Sequence, residues 1–151
     1  MMKVMKQMIN KMWVHILDNG TDAPKYATSQ SAGCDLTSIE DTTVDPGGTK
    51  LVRTGLFIEV PIGFEAQVRP RSGLALKHSV TVLNTPGTVD SDYRGEIGVI
   101  MINHGRETFI VHKGDKVAQL VFAPVFHAVF EKVEKLNETV RGAGGFGSTG
   151  V

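Results

Sequence analysis

Cysteine is nearly absent: Cys34 stands alone among 151 residues. One thiol cannot close an intrachain disulfide, and a chain without such staples fits a reducing compartment, so a cytoplasmic location is expected. Net charge is absent too. Sixteen Lys and Arg residues balance sixteen Asp and Glu, whereas a protein that coats nucleic acid needs a basic excess to displace condensed counterions. A polynucleotide is therefore not an expected partner, while a mononucleotide, which needs only a local cluster of donors, stays open. No apolar run approaches the roughly 20 residues that span a bilayer, so no membrane partner is expected. His15, His78, His104, His112 and His127 lack the spacing of a zinc site. Missing as well are the repeated helical patterns that a parallel α/β fold would need.

What is present reads as one all-β domain of ordinary composition. Short β-type runs alternate with turn signals: Trp13 to Leu17 before Asp18-Asn19-Gly20, Leu51 to Val60 between Gly48 and Pro61, and Phe64 to Val68. Ile97 to Ile102, Thr108 to Val111 and Val117 to Phe126 follow. β-Branched residues with Gly or Pro at the breaks argue for a barrel or sandwich. One stretch is helical, Arg71-Ser72-Gly73-Leu74-Ala75-Leu76-Lys77-His78. Ser72 is a suitable N-cap, and a helix starting there would turn unpaired N–H groups toward an anion, although the same helix could simply plug a barrel end. The basic, Met-rich segment Met1 to Lys11 is interrupted by Lys3, Lys6 and Lys11. It has no signal-peptide core and is expected to be an unassigned leader.

Two segments carry chemistry. Asn84 to Glu96 places a carboxylate, Asp90, and a ring, Tyr93, between glycines. That arrangement suits a pocket closing over a small ligand, with the carboxylate taking a proton from water. Alone, Asp90 could equally be a β-turn aspartate, and Asp92 is assigned to the turn. From Arg141 the chain becomes Arg141-Gly142-Ala143-Gly144-Gly145-Phe146-Gly147-Ser148-Thr149-Gly150. This is either a frayed tail or a lid that supplies a forked donor, close backbone approach and a ring to stack on a base.

Three more short motifs complete the set. Ala32-Gly33-Cys34-Asp35-Leu36 carries an acid that could merely cap a turn. Arg71 to Ala75 opens the helix. Gly114-Asp115-Lys116-Val117-Ala118-Gln119-Leu120 interrupts an apolar strand with Gln119, whose amide needs hydrogen-bond partners if buried. In this order, across Ala32 to Gly150, the five motifs resemble those of the homotrimeric dUTPases, which hydrolyse dUTP to dUMP and pyrophosphate with Mg²⁺. The reaction keeps uracil out of DNA and supplies dUMP for dTMP synthesis.

The resemblance implies a distorted jelly-roll β-barrel with one short helix: a leader over 1–11, a barrel domain over 12–140, and a mobile arm over 141–151 that closes the site. It implies a homotrimer with active sites shared between subunits. Asp35 would bind Mg²⁺ through its water shell; Arg71, Ser72 and Gly73 would hold the phosphate chain, with Gln119 as a further contact. Asn84, Gly87, Thr88 and Val89 would line the nucleoside pocket, and Asp90 would orient the attacking water. Tyr93 would pack beneath the deoxyribose. Uracil would be read by the backbone of a hairpin from Thr88 to Val99, with Gly98 in its returning strand. Arg141, Ser148 and Thr149 would reach the γ-phosphate, with Phe146 over the base and Gly147 as a further substrate contact. Two alternatives stay open: a relative of the dCTP deaminases, and a non-catalytic trimeric nucleotide-binding regulator.

Overall fold

The computed structural model describes residues 11–148; most of the leader and Thr149 fall outside that range. Eleven strands and one helix follow in the order β1 (His15–Ile16), β2 (Gly33–Thr37), β3 (Thr42–Val44), β4 (Thr49–Arg53), β5 (Ile58–Glu59), β6 (Phe64–Arg69), α1 (Ser72–His78), β7 (Val80–Val82), β8 (Gly87–Val89), β9 (Gly98–Asn103), β10 (Phe109–Val111) and β11 (Lys116–Pro124). All pairings are antiparallel. They make a four-stranded sheet β2-β11-β6-β8, a three-stranded sheet β4-β9-β7, and two ribbons, β1-β5 and β3-β10.

Strict alternation explains how the sheets enclose a core. In β9, Val99, Met101 and Asn103 are buried while Ile100 and Ile102 are half-buried on the other face, the two-residue period of a sheet covered on one side. Val52, Val68, Val80, Val82, Leu36 and Leu120 join Val99 and Met101 inside. Each such side chain taken from water contributes roughly 1.5–3 kcal/mol. Among the described residues Asn103 is the one wholly buried side-chain amide, and its polar atoms are matched. Its Nδ2 donates to the carbonyls of Val44 and Glu107 at 2.8 Å each, and its Oδ1 accepts from Gly105 N–H at 2.8 Å. The side chain thereby clamps the corner where β9 ends against the ends of β3 and β10.

Three expectations are corrected. The run Leu51 to Val60 is two strands, because Gly55 sits at φ +66° and turns the chain between β4 and β5. The helix is capped by Arg71, in extended conformation, and Ser72 is its first helical residue; no side chain bonds the helix start. The segment from Thr88 to Val99 is not a hairpin: β8 pairs with β6, and β9 with β4 and β7, so the segment crosses between two sheets.

Strand structure ends at Pro124, and no helix or strand follows through residue 148. Phe126, Val129, Phe130 and Leu136 stand at least 80% exposed there, an apolar burden that single soluble chains seldom carry in one segment.

Candidate functional site

The phosphate-side residues are assembled by the four-stranded sheet. Asp35 lies within β2, not in a turn, and pairs in register with Gln119, which in turn pairs with Arg69. Its carboxylate is half-buried. Lys116 Nζ stands 2.7 Å from Oδ2, and Arg71 Nε stands 3.9 Å from Oδ1. Arg71 Nη1 also donates to the Lys116 carbonyl at 2.7 Å. Gln119 Nε2 donates to the carbonyl of Pro70 at 2.9 Å, so the amide fixes the residue immediately before Arg71. Gly33 leaves room for this packing, since a Cβ there would collide with Gln119 Oε1. Ser72 and Gly73 are exposed at the helix start, where the first N–H groups have no carbonyl one turn back. Arg71, Asp35, Gln119 and the helix start therefore meet, with Lys116, which the sequence reading passed over. A cavity of about 240 Å³ opens beside Asp35 and Lys116, walled opposite by residues 21–27.

The segment that carries Asp90 is built differently. A turn bond runs from Tyr93 N–H to the Asp90 carbonyl at 3.2 Å, and Tyr93 Oη donates to the Glu96 carbonyl at 3.0 Å. The Tyr93 ring lies over Gly95, where a Cβ would come within 2.3 Å of Oη. Glu96 staples the far end: Arg53 Nε and Nη2 reach Oε2 at 3.2 and 3.1 Å, and Gly55 N–H reaches Oε1 at 2.8 Å. Asp90 and Asp92 are exposed, and Asp92 occupies the turn as expected. Gly87 and Val89 are buried and Thr88 is exposed, so Val89 can offer a ligand only its backbone. Asn84, also exposed, lies against Gly87, where a Cβ would stand 3.2 Å from Nδ2. Gly98 leaves room for Leu51, whose Cδ1 would be 2.6 Å from a Cβ there. The Arg53–Glu96 staple was not foreseen; two opposite charges flanking adjacent strands were its only trace in the sequence.

One chain does not join these two halves. Asp35 is on β2 and Asp90 follows β8, the opposite edges of the same sheet. Three strand spacings separate them, roughly 14 Å across the sheet. Register adds a further offset, since Asp35 is level with Arg69 while Val89 is level with Ala66, roughly 10 Å along the strands. Neither the cavity by Asp35 nor a larger groove of about 1050 Å³ beneath Trp13 is lined by Asn84, Asp90 or Tyr93.

Among the described residues, the tail's hydrogen bonds are local. Arg141 Nε donates to the Gly144 carbonyl at 2.8 Å, and Gly144 and Ser148 N–H groups bond to Arg141 and Gly145. Phe146 is fully exposed and Gly147 adopts φ +91°. Thr149 lies outside the described residues.

Among the described residues, no three His, Cys, Asp or Glu side chains cluster to hold a metal. A lone carboxylate beside Arg71 and Lys116 fits Mg²⁺ only if the cation arrives with its waters on a polyphosphate. Asp35 is the residue that would hold it.

Relatives agree with this architecture. The dUTPase family model matches residues 19–150. A deoxyuridine 5′-triphosphate nucleotidohydrolase of Gloeothece citriformis is 57% identical over 141 residues, 93% of this chain and 97% of that protein. Its counterpart in Nautilia profundicola is 55% identical over 140 residues, 93% of this chain and 99% of its own length. In structure, the chain is similar to the dUTPase of Staphylococcus bacteriophage 80alpha (a G164S mutant with dUpNHpp) at a TM-score of 0.85. That comparison has 22% identity and covers 93% of this chain and all of that one, so what the two share is the fold, a jelly-roll β-barrel. On a match of the family model to nearly its whole length and on relatives more than half identical, this chain belongs to the dUTPase family.

Proposed function

We propose that the protein hydrolyses dUTP to dUMP and pyrophosphate. The observation that carries this reading is the cluster of Asp35 and Gln119, paired across β2 and β11, with Arg71 at the exposed helix start, a cation-binding carboxylate beside donors for a polyphosphate. Mg²⁺ bound with the substrate supplies neutralisation of the leaving pyrophosphate. Asp90 takes a proton from the water that attacks the α-phosphorus in line. Arg71 and the helix-start amides of Ser72 and Gly73 hold the phosphates as charge moves to the leaving group. Tyr93, tethered through its hydroxyl to the Glu96 carbonyl, packs beneath the deoxyribose, and Asn84, Gly87, Thr88, Val89 and Gly98 frame the base. Arg141, Phe146, Gly147, Ser148 and Thr149 close over the nucleotide and exclude water.

The two halves belong, in this reading, to different subunits of a homotrimer. The separation of Asp90 from Asp35 within one chain supports it, and so does the exposed apolar segment after Pro124. Among the described residues no helix is long and apolar enough to cross a membrane; the single buried thiol supports a cytoplasmic setting.

The test is pyrophosphate release across dUTP, dTTP, dCTP and UTP, with and without Mg²⁺, and ammonia release from dCTP. Asp90→Asn should keep substrate binding and lose about 3 kcal/mol or more of transition-state stabilisation, a hundredfold or more in rate. Turnover within tenfold of the parent removes Asp90 as the base; dUTP binding without pyrophosphate release replaces the enzyme with a regulator.

A further inference from the structure

We propose that Lys116 is a positioning residue for the phosphate end of the site, a role that rests on the reading of dUTP hydrolysis above. Lys116 and Gln119 are three residues apart on β11, an odd separation that in a regular strand puts two side chains on opposite faces. Here the register slips between Lys116 and Ala118: Lys116 pairs with Thr37, Ala118 with Leu36, and Gln119 with Asp35. The extra residue is absorbed as a β-bulge with Val117 and Ala118 both buried, and Lys116 is turned onto the face of Thr37 and Asp35.

Two contacts follow from that turn. The ammonium sits 2.7 Å from Asp35 Oδ2, and the Lys116 carbonyl accepts from Arg71 Nη1 at 2.7 Å. One residue thus holds the candidate metal carboxylate through its side chain and the candidate phosphate arginine through its backbone. The three side chains together carry one surplus positive charge, facing where a triphosphate would lie. Without the ammonium, Asp35 is free to swing onto Arg71 and occupy the guanidinium that the phosphates need. An ordinary exposed ion pair would do none of this.

The experiment uses the full chain and three variants, Lys116→Met, Lys116→Gln and Lys116→Arg. All keep the backbone carbonyl that Arg71 uses. Titration calorimetry measures the affinity for the α,β-imido analogue of dUTP, with and without Mg²⁺, and for dUMP, which lacks the outer phosphates. The Met and Gln variants should bind the Mg²⁺-loaded analogue about tenfold more weakly, the size of effect expected of a charge-assisted contact. They should bind dUMP within about twofold of the parent, and Lys116→Arg should recover most of the loss. Analogue affinity unchanged in the Met and Gln variants overturns the proposal. So does an equal loss for dUMP, which would make Lys116 a support of the fold alone. Pyrophosphate release by the parent decides the functional reading separately, so the two can fail independently.

Discussion

Replacing Gly33 by Ala tests whether the sheet, rather than any single ligand-binding residue, sets the phosphate site. The new Cβ would meet Gln119 at Oε1 (2.4 Å), Cδ (3.1 Å) and Cβ (3.2 Å). The far end of the side chain can rotate away, but only by leaving the Pro70 carbonyl, 2.9 Å from Nε2. A neutral hydrogen bond contributes about 1 kcal/mol, and a half-buried carbonyl stranded without a partner costs about another 1–2. A stability loss of about 2–3 kcal/mol is expected. Activity should fall further than folding alone would predict, because Pro70 carries Arg71. A displacement of about 1 Å in a positioning group can cost a hundredfold, so kcat/KM should drop ten- to a hundredfold. The assay is a double-mutant cycle with Gln119→Ala, read by urea denaturation at fixed protomer concentration and by pyrophosphate release. In the Gln119→Ala background the clash with Oε1 and Cδ is gone, and Gly33→Ala should cost about 0.5 kcal/mol or less. If it costs as much there as in the parent, the steric argument is wrong.

Asn103→Leu keeps volume but strands the Val44 and Glu107 carbonyls and the Gly105 N–H; a loss of about 3 kcal/mol or more is expected, and a change under about 1 kcal/mol by urea denaturation would refute the clamp. Mixing an Asp90→Asn chain with a chain lacking residues 141–151 should restore pyrophosphate release through hybrid oligomers; hybrids that form, by mass spectrometry, yet stay inactive would refute shared sites. Burial pushes the Cys34 thiol pKa above the ordinary 9.0, against hydrogen bonds, one of them with Tyr26, that pull it down. The native state therefore holds that proton more tightly than the unfolded chain does. Stability from this group is intact below pH 9.0 and declines as the pH rises past it. A thiol reagent should modify Cys34 only on unfolding, and fast native-state labelling at pH 8 would contradict its burial.

The β-character of the chain was legible because Val, Ile and Thr alternate with polar residues between Gly- and Pro-marked turns, as in Phe64 to Val68 and Ile97 to Ile102. Strands β2, β3 and β7 were not foreseen, and β8 only as one arm of the expected hairpin. They are three to five residues long, too short for a period to declare itself, and exist because a partner strand supplies their hydrogen bonds. The motif residues were legible as types, and Asp35, Arg71 and Gln119 do meet. What the sequence could not carry was register. The slip that aims Lys116 at Asp35 depends on Val117 and Ala118 both finding the core. The hairpin expectation for Thr88 to Val99 failed for a related reason: Glu96 is tied to Arg53, 43 residues away, and that long-range staple takes the chain from one sheet to the other.

The distance between the Asp35 and Asp90 edges of the sheet bears on dosage. A newly made chain carries both half-sites and can join neither to the other. Under the proposed function it would therefore leave nucleotides untouched until it met its copies. Output would then scale more steeply than protein amount when chains are scarce. Dilution would silence the enzyme before it unfolds.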